Sequence, residues 1–218
     1  MAESKLVFTD SRLNTVFIYD SEENQTALLN TNYAFNRPTG IAYNTLSKDI
    51  WVTETGAHHL VLINSKGVLK KVIGERGMES GQFNFPGFIW IDKDGFAYVV
   101  DAMNFRVQIF DAEGNFLSMF GEAGDASGYL ARPKGIATDS YGNIYVADAL
   151  FNTVQIFDRD GNYLYNFGKK GSGESEFMLP MGIFIDTSDQ IYVADSFNKR
   201  VQIFKITRDS DFENSDKN

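Results

Sequence analysis

The stretch Pro133-Lys-Gly-Ile-Ala-Thr-Asp139, Asn143-Ile-Tyr-Val-Ala-Asp148, Val154-Gln-Ile-Phe157 and Tyr163-Leu-Tyr-Asn-Phe-Gly168 decides the architecture, because its pieces return elsewhere at a fixed interval. All four prolines of the chain, Pro38, Pro86, Pro133 and Pro180, stand 48, 47 and 47 residues apart. The first piece recurs as Pro86-Gly-Phe-Ile-Trp-Ile-Asp92 and Pro180-Met-Gly-Ile-Phe-Ile-Asp186, with Pro38-Thr-Gly-Ile-Ala-Tyr-Asn44 a looser copy. The second recurs as Phe96-Ala-Tyr-Val-Val-Asp101 and Gln190-Ile-Tyr-Val-Ala-Asp195, more weakly as Ile50-Trp-Val-Thr-Glu54 and Leu6-Val-Phe-Thr-Asp10. The third is repeated verbatim at 107–110 and 201–204 and loosely at 60–63 and 16–19. A period of this length means stacked supersecondary units.

Each piece holds four to six aromatic and β-branched residues bounded by Gly, Asn and Asp, which is the signature of a strand. No stretch carries a 3.6-residue apolar period over ten residues. Dipeptides such as Asp94-Gly95, Gly114-Asn115, Gly142-Asn143 and Gly161-Asn162 tolerate positive φ and join neighbouring strands as antiparallel hairpins. Four strands per repeat make one blade of a β-propeller. The expected fold is therefore all-β, a propeller of four-stranded antiparallel blades over 1–205, with a polar, acidic tail over 206–218 that composition marks as disordered. Strand counting gives about four and a half blades, an irregular five-bladed ring or an arc of a larger propeller.

The succession Pro-x-Gly-Ile, Asn-Ile-Tyr-Val-Ala-Asp and Asn-x-Arg-Val-Gln-Ile-Phe resembles the NHL-repeat family of β-propellers, and the likeness runs over roughly 6–205. The resemblance implies a rigid disc whose loops bind other proteins; no cofactor is expected. It also implies that blades usually number six.

Composition narrows function. The chain has 218 residues, 43% of them hydrophobic, and its apolar runs are too short to cross a bilayer as helices. With 29 acidic and 20 basic side chains the net charge is −9, which repels phosphate backbones and anionic headgroups; nucleic acid and direct membrane insertion are not expected. No cysteine is present, so disulfides, thiolate metal sites and cysteine nucleophiles are absent. His58 and His59 are the only imidazoles, too few for a multi-histidine metal centre. No basic and apolar leader opens the chain, and both an exported, periplasmic protein with its signal removed and a cytoplasmic one fit.

An acidic residue ends each second strand: Asp10, Glu54, Asp101, Asp148 and Asp195. With Asn104, Asn152, Asn198, Arg106 and Arg200 these read as structural turn residues, the carboxylates accepting hydrogen bonds within their own loops. Departures from the repeat are more pointed. The second copy carries His58 and His59 in its turn, and the third has Phe88 where the others have Gly40, Gly135 and Gly182, and Trp90 where two of them have Ala. With Trp51 and Tyr43 these form the expected partner-binding face on blades two and three. The Gly-x-x-Gly loops at 74–77, 121–124 and 168–171 lack a helix start, so they are not phosphate cradles.

The reading these features favour is a non-enzymatic interaction module or scaffold with a protein partner. One alternative is a metal-dependent hydrolase or lactonase-like enzyme using calcium in the central channel. Another is an accessory subunit, whose open sheet edges pair into an oligomer or a larger envelope assembly.

Overall fold

Strands form where the repeat places them, because Val, Ile and aromatic side chains at these positions cover a pleated surface buried on both sides. The computed structural model describes residues 4–206. Its first sheet holds β1 (Lys5–Asp10), β2 (Thr15–Asp20) and β3 (Gln25–Leu28). The second holds β4 (Pro38–Tyr43), β5 (Asp49–Glu54), β6 (His59–Asn64) and β7 (Leu69–Ile73), and the third β8 (Pro86–Ile91), β9 (Ala97–Asp101), β10 (Arg106–Phe110) and β11 (Phe116–Phe120). The fourth holds β12 (Pro133–Thr138), β13 (Ile144–Asp148), β14 (Thr153–Phe157) and β15 (Tyr163–Phe167). A short parallel pair, β16 (Lys169–Lys170) and β17 (Glu176–Phe177), leads to the fifth, β18 (Pro180–Ile185), β19 (Gln190–Asp195) and β20 (Arg200–Lys205). Apart from one 3₁₀ turn at Ala102–Asn104, the described residues contain no helix.

The fold is an all-β propeller of five blades, antiparallel within each blade, with three strands in the first and last sheets and four in the others. The innermost strands β4, β8, β12 and β18 run side by side around the axis. Four apolar clusters fill the spaces between successive blades, centred on Val52 and Ile63, on Trp51 and Phe83, on Val146 and Phe157, and on Phe177 and Val193. Close approach at the axis depends on small residues. A Cβ on Gly135 would lie 2.6 Å from the backbone nitrogen of Ile183 in the next blade, so only glycine fits there.

Three of the four inner strands, β4, β8 and β12, carry the same irregularity. Pairing slips between Pro38 and Ile41, between Pro86 and Ile89, and between Pro133 and Ile136. These are β-bulges, which release two residues from the ladder and re-aim their side chains. The released residues are Thr39-Gly40, Gly87-Phe88 and Lys134-Gly135.

The terminal blades differ from the middle three. Along β20 exposure alternates, leaving Val201 and Ile203 open while Gln202 faces inward, whereas the equivalent Val107 and Ile109 are buried. Leu6 and Phe8 are likewise exposed on the first blade, with Phe8 stacked on Phe17. Each end blade thus presents one apolar face that no other blade covers. At the far end Ile206 packs on the fourth cluster, one residue beyond the expected limit of the propeller at 205. The rest of the expected tail, 207–218, lies outside the described residues.

Candidate functional site

Inner strands begin and second strands end on one face of the disc, so the acidic residues expected there can be located directly. Glu54, Asp101, Asp148 and Asp195 are fully buried. Asp101 accepts from the Asn84 N–H at 2.7 Å, Asn104 Nδ2 at 2.8 Å, Arg106 Nε at 2.8 Å and Gln108 Nε2 at 3.2 Å. Asp195 repeats the pattern with the Met178 N–H, Asn198, Arg200 and Gln202. Asp148 accepts from the N–H groups of Ala131, Leu150 and Phe151, and Asp10 from those of Arg12 and Leu13. Asn152 accepts from the Leu179 N–H of the following loop. These carboxylates are bonded into their own loops, and among the described residues no group of three or more acidic or imidazole side chains converges on a metal position.

The second blade uses different chemistry at the same place. His59 occupies the position of Arg106 and Arg200, and its Nε2 lies 2.5 Å from Glu54 Oε2. Tyr33 donates its hydroxyl to the same oxygen at 2.6 Å, and the Asn36 N–H donates to Oε1. The Tyr33 phenol is held well above its usual range by burial and then by Glu54. His58 is buried, accepts the Phe85 N–H at Nδ1 (3.1 Å) and meets the Phe85 ring edge-on. Trp51 is sealed between blades two and three. Trp51 and His58 are interior, whereas His59 is held on Glu54 with 19% of its side chain exposed, so of these three only His59 reaches the surface on the expected binding face. Burial of both faces of a middle blade removes Trp51 and His58 from it, which corrects the expectation.

The remaining members are split between the two ends of the channel. Tyr43 ends β4 on the opposite face, half-buried. Trp90, also toward that face, donates Nε1–H to Thr138 Oγ1 at 2.8 Å and packs edge-on against Phe184. It lines a cleft of about 530 Å³ with Asp92, Asp139 and Asp186. Those carboxylates accept from N–H groups of their own turns and from the hydroxyls of Tyr98, Tyr145 and Tyr192.

Phe88 lies at the other mouth, among the residues the bulges release from the ladder. Thr39, Phe88 and Lys134 line an open cavity of about 420 Å³, completed by Thr55, Phe85 and Met103. Lys134 is half-buried in this wall and makes no hydrogen bond or ion pair with any described residue. Burial, and then the neighbouring Arg132, lower the pKa of its amine. Met103, which lines the cavity, and Leu150 and Phe197 are exposed at the same position of three successive loops on this face. Sequence reasoning passed over Lys134, although it stands at a variable position of the repeat, occupied by Thr39, Gly87 and Met181 in the other copies.

Comparison with known proteins agrees with this architecture. Residues 130–214 match a family model described as a 6-bladed beta-propeller. No curated protein matches the chain. Among solved structures it is similar to a streptogramin B lyase (13% identity, TM-score 0.66, covering 96% of this chain and 67% of that one). A virginiamycin B lyase from Staphylococcus aureus is similar at 16% identity and TM-score 0.65, over 96% and 69% of the two chains. A gluconolactonase from Xanthomonas campestris has 17% identity and a TM-score of 0.71, over 94% and 69%. The shared property is the propeller fold. The chain spans about two thirds of the length of these structures, and at such identities the likeness extends to fold alone.

Proposed function

We propose that this protein is a non-enzymatic, NHL-like interaction module that docks a segment of a protein partner across the mouth of its channel. The observation carrying this reading is the row of exposed apolar side chains, Met103, Leu150 and Phe197, beside an apolar cavity on the same face. Exposed apolar groups repeated on adjacent loops make a continuous contact surface, larger than a small ligand needs. The carboxylates of that face are buried in their loops, so the chain's negative charge does not guard the surface through them. Selection from a random heptapeptide display library tests the reading. Peptides enriched on the native protein and lost on Leu150→Glu and Met103→Glu are expected. Equal retention by both variants would overturn it.

A second reading, an accessory subunit of a larger assembly, is favoured by the apolar end faces at Leu6 and Phe8 and at Val201 and Ile203. Light scattering on the purified chain separates the two. A defined oligomer dispersed by Ile203→Lys supports the subunit reading, and a monomer sinks it.

A further inference from the structure

The cavity at the mouth holds a cation without a counter-ion. Lys134 is half-buried among Phe85, Phe88 and Met103, with no acidic partner among the described residues. Arg132 stands two residues away and places a second positive charge near it. The acids that end the neighbouring second strands, Asp101 and Asp148, are fully buried and bonded elsewhere. A half-desolvated ammonium facing apolar walls is destabilised relative to water, and an entering anion relieves that cost. In a chain of net charge −9 such a spot is an exception to the overall field.

We propose that this mouth is a carboxylate socket, in which Lys134 pairs with the C-terminal carboxylate of a partner chain while Phe85, Phe88 and Met103 receive the apolar side chain of its last residue. This deepens the docking reading and rests on it. A chain end, rather than an internal acidic side chain, fits because the cavity sets cation and apolar wall side by side. The α-carboxylate of a terminal residue stands directly beside that residue's own side chain, so one residue meets both. Burial of the guest's apolar group supplies affinity and the ammonium selects the charge. Binding of the carboxylate raises the amine's affinity for its proton, so the two are linked.

N-acetylphenylalanine and its neutral amide are matched probes, differing only in the charge at the end. Methyl NMR of the methionines, following Met103, reads occupancy of the mouth. The acid is expected to bind about tenfold more tightly than the amide, the effect of one partly solvated charge-assisted contact. Lys134→Met abolishes that preference, and Lys134→Arg keeps most of it. Thermal melts of both variants verify that the fold is unchanged. Equal affinity for acid and amide, or a preference that survives Lys134→Met, overturns the socket while leaving the docking surface intact. Acetyl-Asp-Phe-amide, whose only carboxylate is a side chain, binding as tightly as the acid would overturn the chain-end form. No shift from any probe at about 10 mM also overturns the socket, far weaker than a specific site allows. The display selection then decides the docking reading separately.

Discussion

Arg106→Ala and Arg200→Ala remove the same guanidinium from two copies of one motif, and the structure makes their costs unequal. Arg106 is 8% exposed and donates to Asp101 and to the carbonyls of Met78, Glu79 and Gln82. Its loss leaves a fully buried carboxylate without its charge partner, an effect of about 3–5 kcal/mol. Three N–H donors remain on Asp101, from Asn84, Asn104 and Gln108, and of the carbonyls only that of Met78 loses its donor, because Glu79 keeps the Gln82 N–H and Gln82 keeps Gln108 Nε2, so a value of about 4 kcal/mol, set mainly by the lost charge partner, follows. Arg200 is 31% exposed and donates to Asp195 and to the carbonyls of Gly173 and Glu176. Water reaches that site on the open side of the last blade, and the expected cost falls to about 1.5 kcal/mol. Urea unfolding followed by the fluorescence of buried Trp51 is the assay. With a slope of about 2.5 kcal/mol/M, the midpoints drop by about 1.6 M and about 0.6 M. Equal shifts, or a loss below about 1 kcal/mol for Arg106→Ala, would refute the claim that burial on both faces of a blade sets the strength of these pairs.

Three further outcomes follow from the same structure. His59→Ala removes one of three hydrogen-bond partners of the buried Glu54, leaving Tyr33 and the Asn36 N–H, and is expected to cost about 2 kcal/mol, whereas His59→Arg, which restores the pattern of the third and fifth blades, is expected to cost under about 1 kcal/mol in the same urea assay. Trp51 Nε1 is buried without an acceptor; Trp51→Phe removes that orphan donor while leaving a small void, so the net change is expected within about 1 kcal/mol, against about 3–5 kcal/mol for Trp51→Ala. Acid is expected to weaken the fold. Burial raises the Asp195 carboxyl, but hydrogen bonds from the Met178 N–H, Asn198 and Arg200 outweigh it and hold the group below its usual range. Hydrogen bonds hold Asp186 and Glu176 low as well. Groups so depressed contribute stability that is complete above the unfolded carboxylate pKa of about 4 and disappears as pH falls through their lower folded values. Melting temperature should therefore be flat above about pH 5 and drop below pH 4, less steeply in Asp195→Asn; an unchanged slope in that variant would remove Asp195 from the account.

The blades were legible because the 47-residue period repeats turn chemistry, strand composition and spacing together, and agreement across levels specifies a fold. Solvent access was not legible. In a sheet covered on both sides alternation disappears, so Trp51 and the turn residue His58 look as available in the sequence as Phe88 does. The structure separates them through packing between blades, a contact made by residues about one repeat apart. Lys134 was missed for the opposite reason. A lysine next to a proline reads as a solvated side chain, and the slip in pairing between Pro133 and Ile136, which releases it from the ladder into the cavity wall, leaves no mark in the sequence.

The stacking of blades also grades the molecule by how readily each part opens. The mouth is carried by β4, β8 and β12, whose blades have a neighbour on each side, whereas β1, β3 and β20 belong to blades with one. Opening of a repeat array starts where nearest-neighbour terms are fewest. Backbone amides of β9, β10 and β13 should then exchange with solvent only through global unfolding, and those of β3 and β20 through cheap local fraying. A guest entering the mouth meets walls already held in place and orders little on arrival, so its residence time is governed by its own contacts.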